Sequence, residues 1–198
     1  MMGIVTWSAV ILTGGTAARL DGADKASLQI GGRSLLDLAL AAVAGAAEVV
    51  VVGPEVPVTA AVRFVREDPP GGGPLAGVAA GVGGLRADPD LVVVLAVDMP
   101  GVTSGTVERL LTAVRDDEVD AAWLCDASGR RQLAGVVRPD LVPAPEQARG
   151  AAMRALMTAG RSRDVSATGR EADDVDTWDD LVRLRGDEPP GVASGPVT

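Results

Sequence analysis

The chain has 198 residues, 47% hydrophobic and 23% charged, with a formal net charge of −9. That length suits one domain with a sizeable core, and the acidic balance excludes the basic face a nucleic-acid binder needs. The absence of histidine excludes a His-based triad, general base or zinc ligand, and a lone cysteine, Cys125, excludes an internal disulfide or a cysteine metal cluster.

In chain order, residues 8–12 form a short buried strand broken at Gly14-Gly15. Residues 34–44 carry apolar positions at helical spacing, with Ser34 as N-cap. Four valines, 49–52, end at Gly53-Pro54 and suit a strand covered on both faces. Residues 62–65 form a shorter strand, and 69–74 (Pro-Pro-Gly-Gly-Gly-Pro) cannot be regular structure. A helix over 75–85 and a strong strand over 91–97 follow, the latter cut off at Asp98-Met99-Pro100. A helix over 103–115, strands over 120–124 and 133–137, and helices over 146–159 and 177–184 complete the pattern. Such alternation predicts a three-layer α/β domain with a mostly parallel sheet, spanning residues 1–185. Residues 186–198, rich in Pro, Gly and Ser, read as a disordered tail. No run approaches the ~20 apolar residues that span a bilayer, and residues 4–12 lack a signal peptide's basic leader. The expectation is a cytoplasmic protein that meets neither membrane nor nucleic acid.

Two polar motifs fall at the carboxyl ends of predicted strands, where open α/β sheets bind ligands. The first is Leu12-Thr13-Gly14-Gly15, with Arg19 and then Gly22-Ala23-Asp24-Lys25. Paired glycines bring backbone N–H groups close to an anion, and Arg19 and Lys25 add two cations for a triphosphate. Lys25 is the only lysine among 18 basic residues. The bland alternative for Gly14-Gly15 is a tight turn between strand and helix. The second motif, Asp98-Met99-Pro100, puts a carboxylate where Mg²⁺ could be held against a triphosphate; otherwise Asp98 is a helix cap or Asx-turn residue. Arg66-Glu67-Asp68 beside the glycine loop suits a ribose or base contact, or else a plain linker. In the acidic stretch 173–180, Asp176 is a second metal carboxylate, or else part of an acidic helix start.

The set Leu12-x-Gly14-Gly15-x-x-x-Arg19-x-x-Gly22-x-Asp24-Lys25, the turn Gly73-Pro74-Leu75-Ala76-Gly77, Asp98-Met99-Pro100 and Asp174-Val175-Asp176-Thr177 resembles the molybdenum cofactor guanylyltransferases. More broadly it resembles the nucleotidyltransferases that include molybdopterin cytidylyltransferases and sugar-nucleotide pyrophosphorylases. The resemblance implies a three-layer Rossmann-like nucleotidyltransferase, a nucleoside triphosphate donor, a phosphorylated small-molecule acceptor and Mg²⁺. It implies Arg19, Lys25 and Asp98 as catalytic residues, with Leu12, Thr13, Gly14, Gly15, Lys25, Gly53, Asp68 and Asp98 around the nucleotide. Asp98 and Asp176 would hold the metal, while Arg131, Gln132 and Arg154 would lie toward the acceptor. Gly14-Gly15 favours GTP, since the cytidylyl enzymes more often read Ala-Gly there. The chain departs from the pattern at Asp21, inserted before Gly22, and at Gly53, where a guanylyltransferase can carry asparagine. It departs again at Gln132-Leu133, where His-Pro is common, and at Asp174-Val175-Asp176 in place of Asn-x-Asn. Cytidylyl transfer, another phosphorylated acceptor and a non-catalytic nucleotide-binding homologue stay open as alternatives.

Overall fold

The computed structural model describes residues 5–14, 24–115 and 118–186. Gly15, Arg19, Asp21, Gly22 and the tail beyond Gly186 lie outside these residues, so the expectations placed on them stay expectations.

The strands are β1 (Trp7–Leu12), β2 (Gln29–Ile30), β3 (Arg33–Ser34), β4 (Val49–Val52), β5 (Arg63–Val65), β6 (Leu91–Ala96), β7 (Ala121–Cys125), β8 (Arg131–Val137) and β9 (Ser162–Ser166). The helices are α1 (Leu35–Ala42), α2 (Pro74–Gly83), α3 (Ser104–Ala113), α4 (Pro145–Ala148), α5 (Arg154–Met157) and α6 (Trp178–Arg185). Seven strands form one sheet in the order β5-β4-β1-β6-β8-β7-β9, with β8 antiparallel to its two neighbours and every other pair parallel. Strands β4 and β6, and β1 from Ala9 onward, are runs of Val, Ile, Leu and Ala because both faces are covered. Ile11, Val51 and Leu95 face the layer of α1, α3 and α6. Val10, Val50 and Val94 face α2 and the turns at Ala148 and Leu156.

Helix starts follow the caps. Ser34 and Asp37 make a reciprocal capping box on α1, as Thr103 and Thr106 do on α3 and Thr177 and Asp180 on α6. From β1 the chain travels to β4 on one side, and from β6 to β7 on the other. The direction therefore reverses between β1 and β6, and the carboxyl end of that pair is where a ligand crevice belongs.

One expectation is corrected, and two elements go beyond what was expected. Residues 146–159 do not form one helix: α4 and α5 are single turns separated at Gly150, whose φ of 69° breaks the helix and whose N–H donates to Gly72 O at 2.9 Å. Residues 162–166, unassigned from sequence, form the edge strand β9; its mostly polar residues, with Val165 alone apolar, carry no apolar alternation to read. The hairpin of β2 and β3, also unforeseen, carries Ser34 into α1.

Candidate active site

The crevice begins with how β1 ends. Val97 N–H donates to Leu12 O at 2.9 Å, carrying the pairing one residue past the end of β6 and setting Asp98 next to the residue bonded to the end of β1. Asp24 caps the one-turn 3₁₀ helix Lys25–Ser27, accepting from Ala26 N–H at 3.1 Å and from Ser27 Oγ at 2.7 Å. That cap fixes the turn from which Lys25 reaches across: its Nζ lies 2.9 Å from Asp98 Oδ2 and 2.7 Å from Asp176 Oδ1. Three predicted residues from distant parts of the chain therefore meet. Asp98 caps no helix, since α3 takes its cap from Thr103.

Burial works against the charge on Lys25, but hydrogen bonds to Asp176 and Asp98 outweigh it, and the ammonium is held above its ordinary pKa. At Asp174 burial, then the charges of Asp176, Asp98 and Asp180, push the carboxyl above its ordinary range. The mouth of the site is thus acidic around one ammonium. Among the described residues no three carboxylates converge tightly enough to hold a metal unaided. Asp98 and Asp176 are nevertheless two hard oxygen donors aimed at one cation, and Mg²⁺ is commonly held by one or two carboxylates plus substrate phosphates. The donor set fits that ion.

Beside this group lies a cavity of about 600 Å³ lined by Leu12, Gly14, Val52, Gly53, Pro54, Arg66, Glu67 and the glycine-proline loop as far as Gly77. Of the predicted nucleotide residues, Leu12, Gly14 and Gly53 line it. Thr13 is buried and donates from Oγ1 to Val52 O at 3.1 Å, shaping the wall from behind. A Cβ at Gly53 would fall on that hydroxyl, so a side chain there is excluded by packing. Asp68 is exposed and outside the lining; its neighbour Glu67 is the carboxylate in the wall, accepting from Gly72 N–H at 2.7 Å. Choosing Glu67 over Asp68 needed that loop contact, which no local motif announces.

The predicted acceptor residues divide. Arg131 and Arg154 line a second cavity, about 470 Å³, with Gly129, Arg130, Met157, Thr158 and Ser162. Arg131 is held in place by Asp164, 2.6 Å from its Nε, and by Met157 O. Gln132 is turned away and buried, donating to Asp126 Oδ2 at 3.0 Å within its own hairpin.

Known proteins resemble this chain in sequence and in fold. Residues 9–165 match the family model described as MobA-like NTP transferase domain. A molybdenum cofactor guanylyltransferase of Shewanella sp. strain MR-4 is 27% identical over 138 residues, covering 67% of this chain and 69% of its own. One from Acidiphilium cryptum is 40% identical over 108 residues, covering 52% and 55%. The crystal structure of molybdopterin-guanine dinucleotide biosynthesis protein A from Archaeoglobus fulgidus superposes with a TM-score of 0.72 at 19% identity, covering 90% of this chain and 97% of that one. With the family match spanning most of the chain and the site residues meeting at the carboxyl end of β1 and β6, this protein belongs to the MobA-like NTP transferases and is a nucleotidyltransferase.

Proposed function

We propose that this enzyme, acting in the cytoplasm, transfers the guanylyl group of GTP with Mg²⁺ to a molybdopterin-type phosphorylated acceptor, releasing pyrophosphate. The observation that carries the reading is Lys25 bridging Asp98 and Asp176 beside the glycine-lined cavity. A triphosphate approaching these carboxylates meets net repulsion unless cations come with it or are waiting for it.

Leu12, Gly14 and Gly53 form the wall against which base and ribose lie, and their main-chain groups read the base edge. The ammonium of Lys25, kept charged by its carboxylates, turns to the phosphates, with Arg19 as the second cation. Asp98 and Asp176 would hold the metal, which supplies positive charge against the triphosphate when bound. An acceptor phosphate oxygen attacks the α-phosphorus; the bond from that phosphorus to the oxygen bridging to the β-phosphate breaks, and the electron pair leaves with pyrophosphate. Positioning and charge neutralisation carry such a step, so no histidine base is required. Arg131 and Arg154 would hold the anionic part of the acceptor, Arg130 beside them.

Isothermal titration with GTP and CTP, each with Mg²⁺ at one salt concentration, tests the base. GTP should bind at least ~tenfold more tightly, because a site built on the guanine edge leaves buried polar groups unpaired when cytosine enters. Equal affinities or a preference for CTP would overturn guanylyl transfer. Pyrophosphate release on adding GTP and a molybdopterin acceptor tests the reaction, and its absence with bound nucleotide would leave a binder.

A further inference from the structure

Asp176 arrives at the site on a segment that has left the sheet: Ala167 N–H makes the last bond to β7, at Cys125 O (2.8 Å), and α6 starts only at Trp178. Asp98, Asp174 and Asp176 repel one another, so something must hold this segment down. Its most connected tether away from Lys25 is Glu171, a residue that no motif singles out, with five hydrogen bonds. The Glu171 side chain is 9% exposed. Its Oε2 accepts from Thr168 N–H at 2.7 Å, Thr168 Oγ1 at 3.1 Å and Arg109 Nη2 at 2.6 Å. Its Oε1 accepts from Thr106 Oγ1 at 2.6 Å and Arg109 Nη1 at 3.0 Å.

Those partners are placed to matter. Thr106 and Arg109 lie on the first turns of α3, directly after the loop that begins at Asp98. The same loop touches the segment twice more. A Cβ on Gly101 would overlap Arg170 O, so the two backbones pass in contact, and Val175 N–H donates to Asp98 O at 2.9 Å. Residues 98–109 and 168–176 are thus laced together, with Glu171 at one end of the lacing and the Asp98–Lys25–Asp176 group at the other.

We propose that Glu171, through its bidentate bond to Arg109 and its bond to Thr106, is a positioning residue that sets the distance between Asp98 and Asp176 and so the strength of metal binding at the site. This rests on the reading of Asp176 as a metal carboxylate. Carboxylates whose backbone segments are held together by a part-buried ion pair bind an ion without first paying to assemble the pair, and loss of such an outer partner weakens metal binding by about tenfold.

The test is Glu171→Gln in the full-length chain, read three ways: the Mg²⁺ concentration giving half-maximal turnover at saturating GTP, kcat at saturating Mg²⁺, and hydrogen exchange at the Val175 amide. The expected result is a rise of about tenfold in half-saturating Mg²⁺, with kcat recovered to within about twofold at high Mg²⁺ and faster exchange at Val175. A lower melting temperature with unchanged half-saturation, or unchanged Val175 exchange, would overturn the proposal and leave Glu171 a purely structural residue. If Glu171→Gln does not fold, Arg109→Lys keeps one ion pair but loses the bidentate geometry, and the same readings decide. Asp176→Asn separates the two claims. If it leaves the Mg²⁺ requirement unchanged, the metal role of Asp176 falls; if it raises the requirement while Glu171→Gln does not, only the positioning role falls.

Discussion

The cavity at the ends of β1 and β4 and the cavity against β8 and β9 are built from different materials. The first is lined by the glycines Gly14, Gly53, Gly71, Gly73 and Gly77, with Leu12, Val52, prolines and the pair Arg66 and Glu67 between them. Its shape is set by backbone torsions, and Gly53, Gly71 and Gly73 all sit at positive φ. The second takes its character from long side chains, Arg130, Arg131 and Arg154, on a hairpin and a single helical turn. A wall of backbone presents fixed N–H and C=O groups and is hard to alter by substitution. A rim of arginines is adaptable and can be retuned one residue at a time. That contrast divides the molecule into a glycine-lined site and an arginine-rimmed one.

The largest effect is expected where the first cavity meets its charges. Lys25→Ala removes the only ammonium between Asp98 and Asp176 and should lower turnover at least ~100-fold, the usual cost of losing one aimed transition-state donor. Circular dichroism should show a retained fold, and Arg154→Ala assayed in parallel at saturating acceptor should keep most of its kcat. Near wild-type turnover in Lys25→Ala would dissolve the distinction between the two sites.

Next comes a pair of glycine substitutions. Gly53→Ala must displace Thr13 Oγ1 and its bond to Val52 O; it should cost about 3 kcal/mol in a urea titration and weaken GTP binding more than ~tenfold. Gly129→Ala, at φ +82° with open space around its Cβ, carries only the left-handed backbone penalty of roughly 1–2 kcal/mol and should leave GTP affinity unchanged. Equal costs at the two positions would mean that the first cavity is no more backbone-defined than the second.

How much could be read in advance follows the same division. Strands β1, β4 and β6 were legible because burial on both faces fills them almost wholly with β-branched and aliphatic residues, Trp7 and the buried Ser8 of β1 being the exceptions, and Lys25, Asp98 and Asp176 because each stands in a short local pattern. The far side of the sheet was harder. Residues 146–159 have helix-forming composition, yet the bond from Gly150 N–H to Gly72 O overrides it. Strand β9 is held by one neighbour, β7, and its Ser-Arg-Asp-Val-Ser sequence has the look of a loop. Glu171 and Arg109 stand 62 positions apart, so their pairing is a property of the fold alone. Gln132 was placed toward the acceptor by its motif neighbours, whereas its amide serves the hairpin turn at Asp126.

A smaller effect is expected at the arginine rim. Arg154→Ala and Arg131→Ala should each raise the acceptor KM by about tenfold, as for a charge-assisted hydrogen bond of roughly 1.5 kcal/mol, with the GTP KM unmoved. Arg131→Ala should be the more damaging to the fold, since Asp164 and Met157 O lose their partner, and a thermal melt separates that loss from the KM change. A shift in the GTP KM of either variant would tie the rim to the donor instead.

The smallest expected effect compares one buried polar atom from each half of the sheet. Ser8 Oγ in β1 and Trp123 Nε1 in β7 are both fully buried without a hydrogen-bond partner. Each loses its hydration on folding and gains nothing in return, so removing the polar atom alone should help stability. Ser8→Ala does nearly that: it deletes one oxygen from a strand paired on both sides and leaves a hole of about one atom. Unfolding by urea should show it neutral or stabilising by up to ~1 kcal/mol. Trp123→Phe also deletes an orphan donor, but the indole covers Gly135, whose Cβ position lies against the six-membered ring, and a phenyl ring cannot fill that volume. The cavity outweighs the relief, and the variant should lose about 1–2 kcal/mol. The sign difference is what matters. In the parallel half an unpaired hydroxyl can be removed at the small cost of a one-atom hole, whereas in the antiparallel half the unpaired nitrogen is part of the residue that fills the space over a glycine. If Ser8→Ala were instead destabilising by more than ~1 kcal/mol, its hydroxyl would have to hold an ordered water in the folded protein.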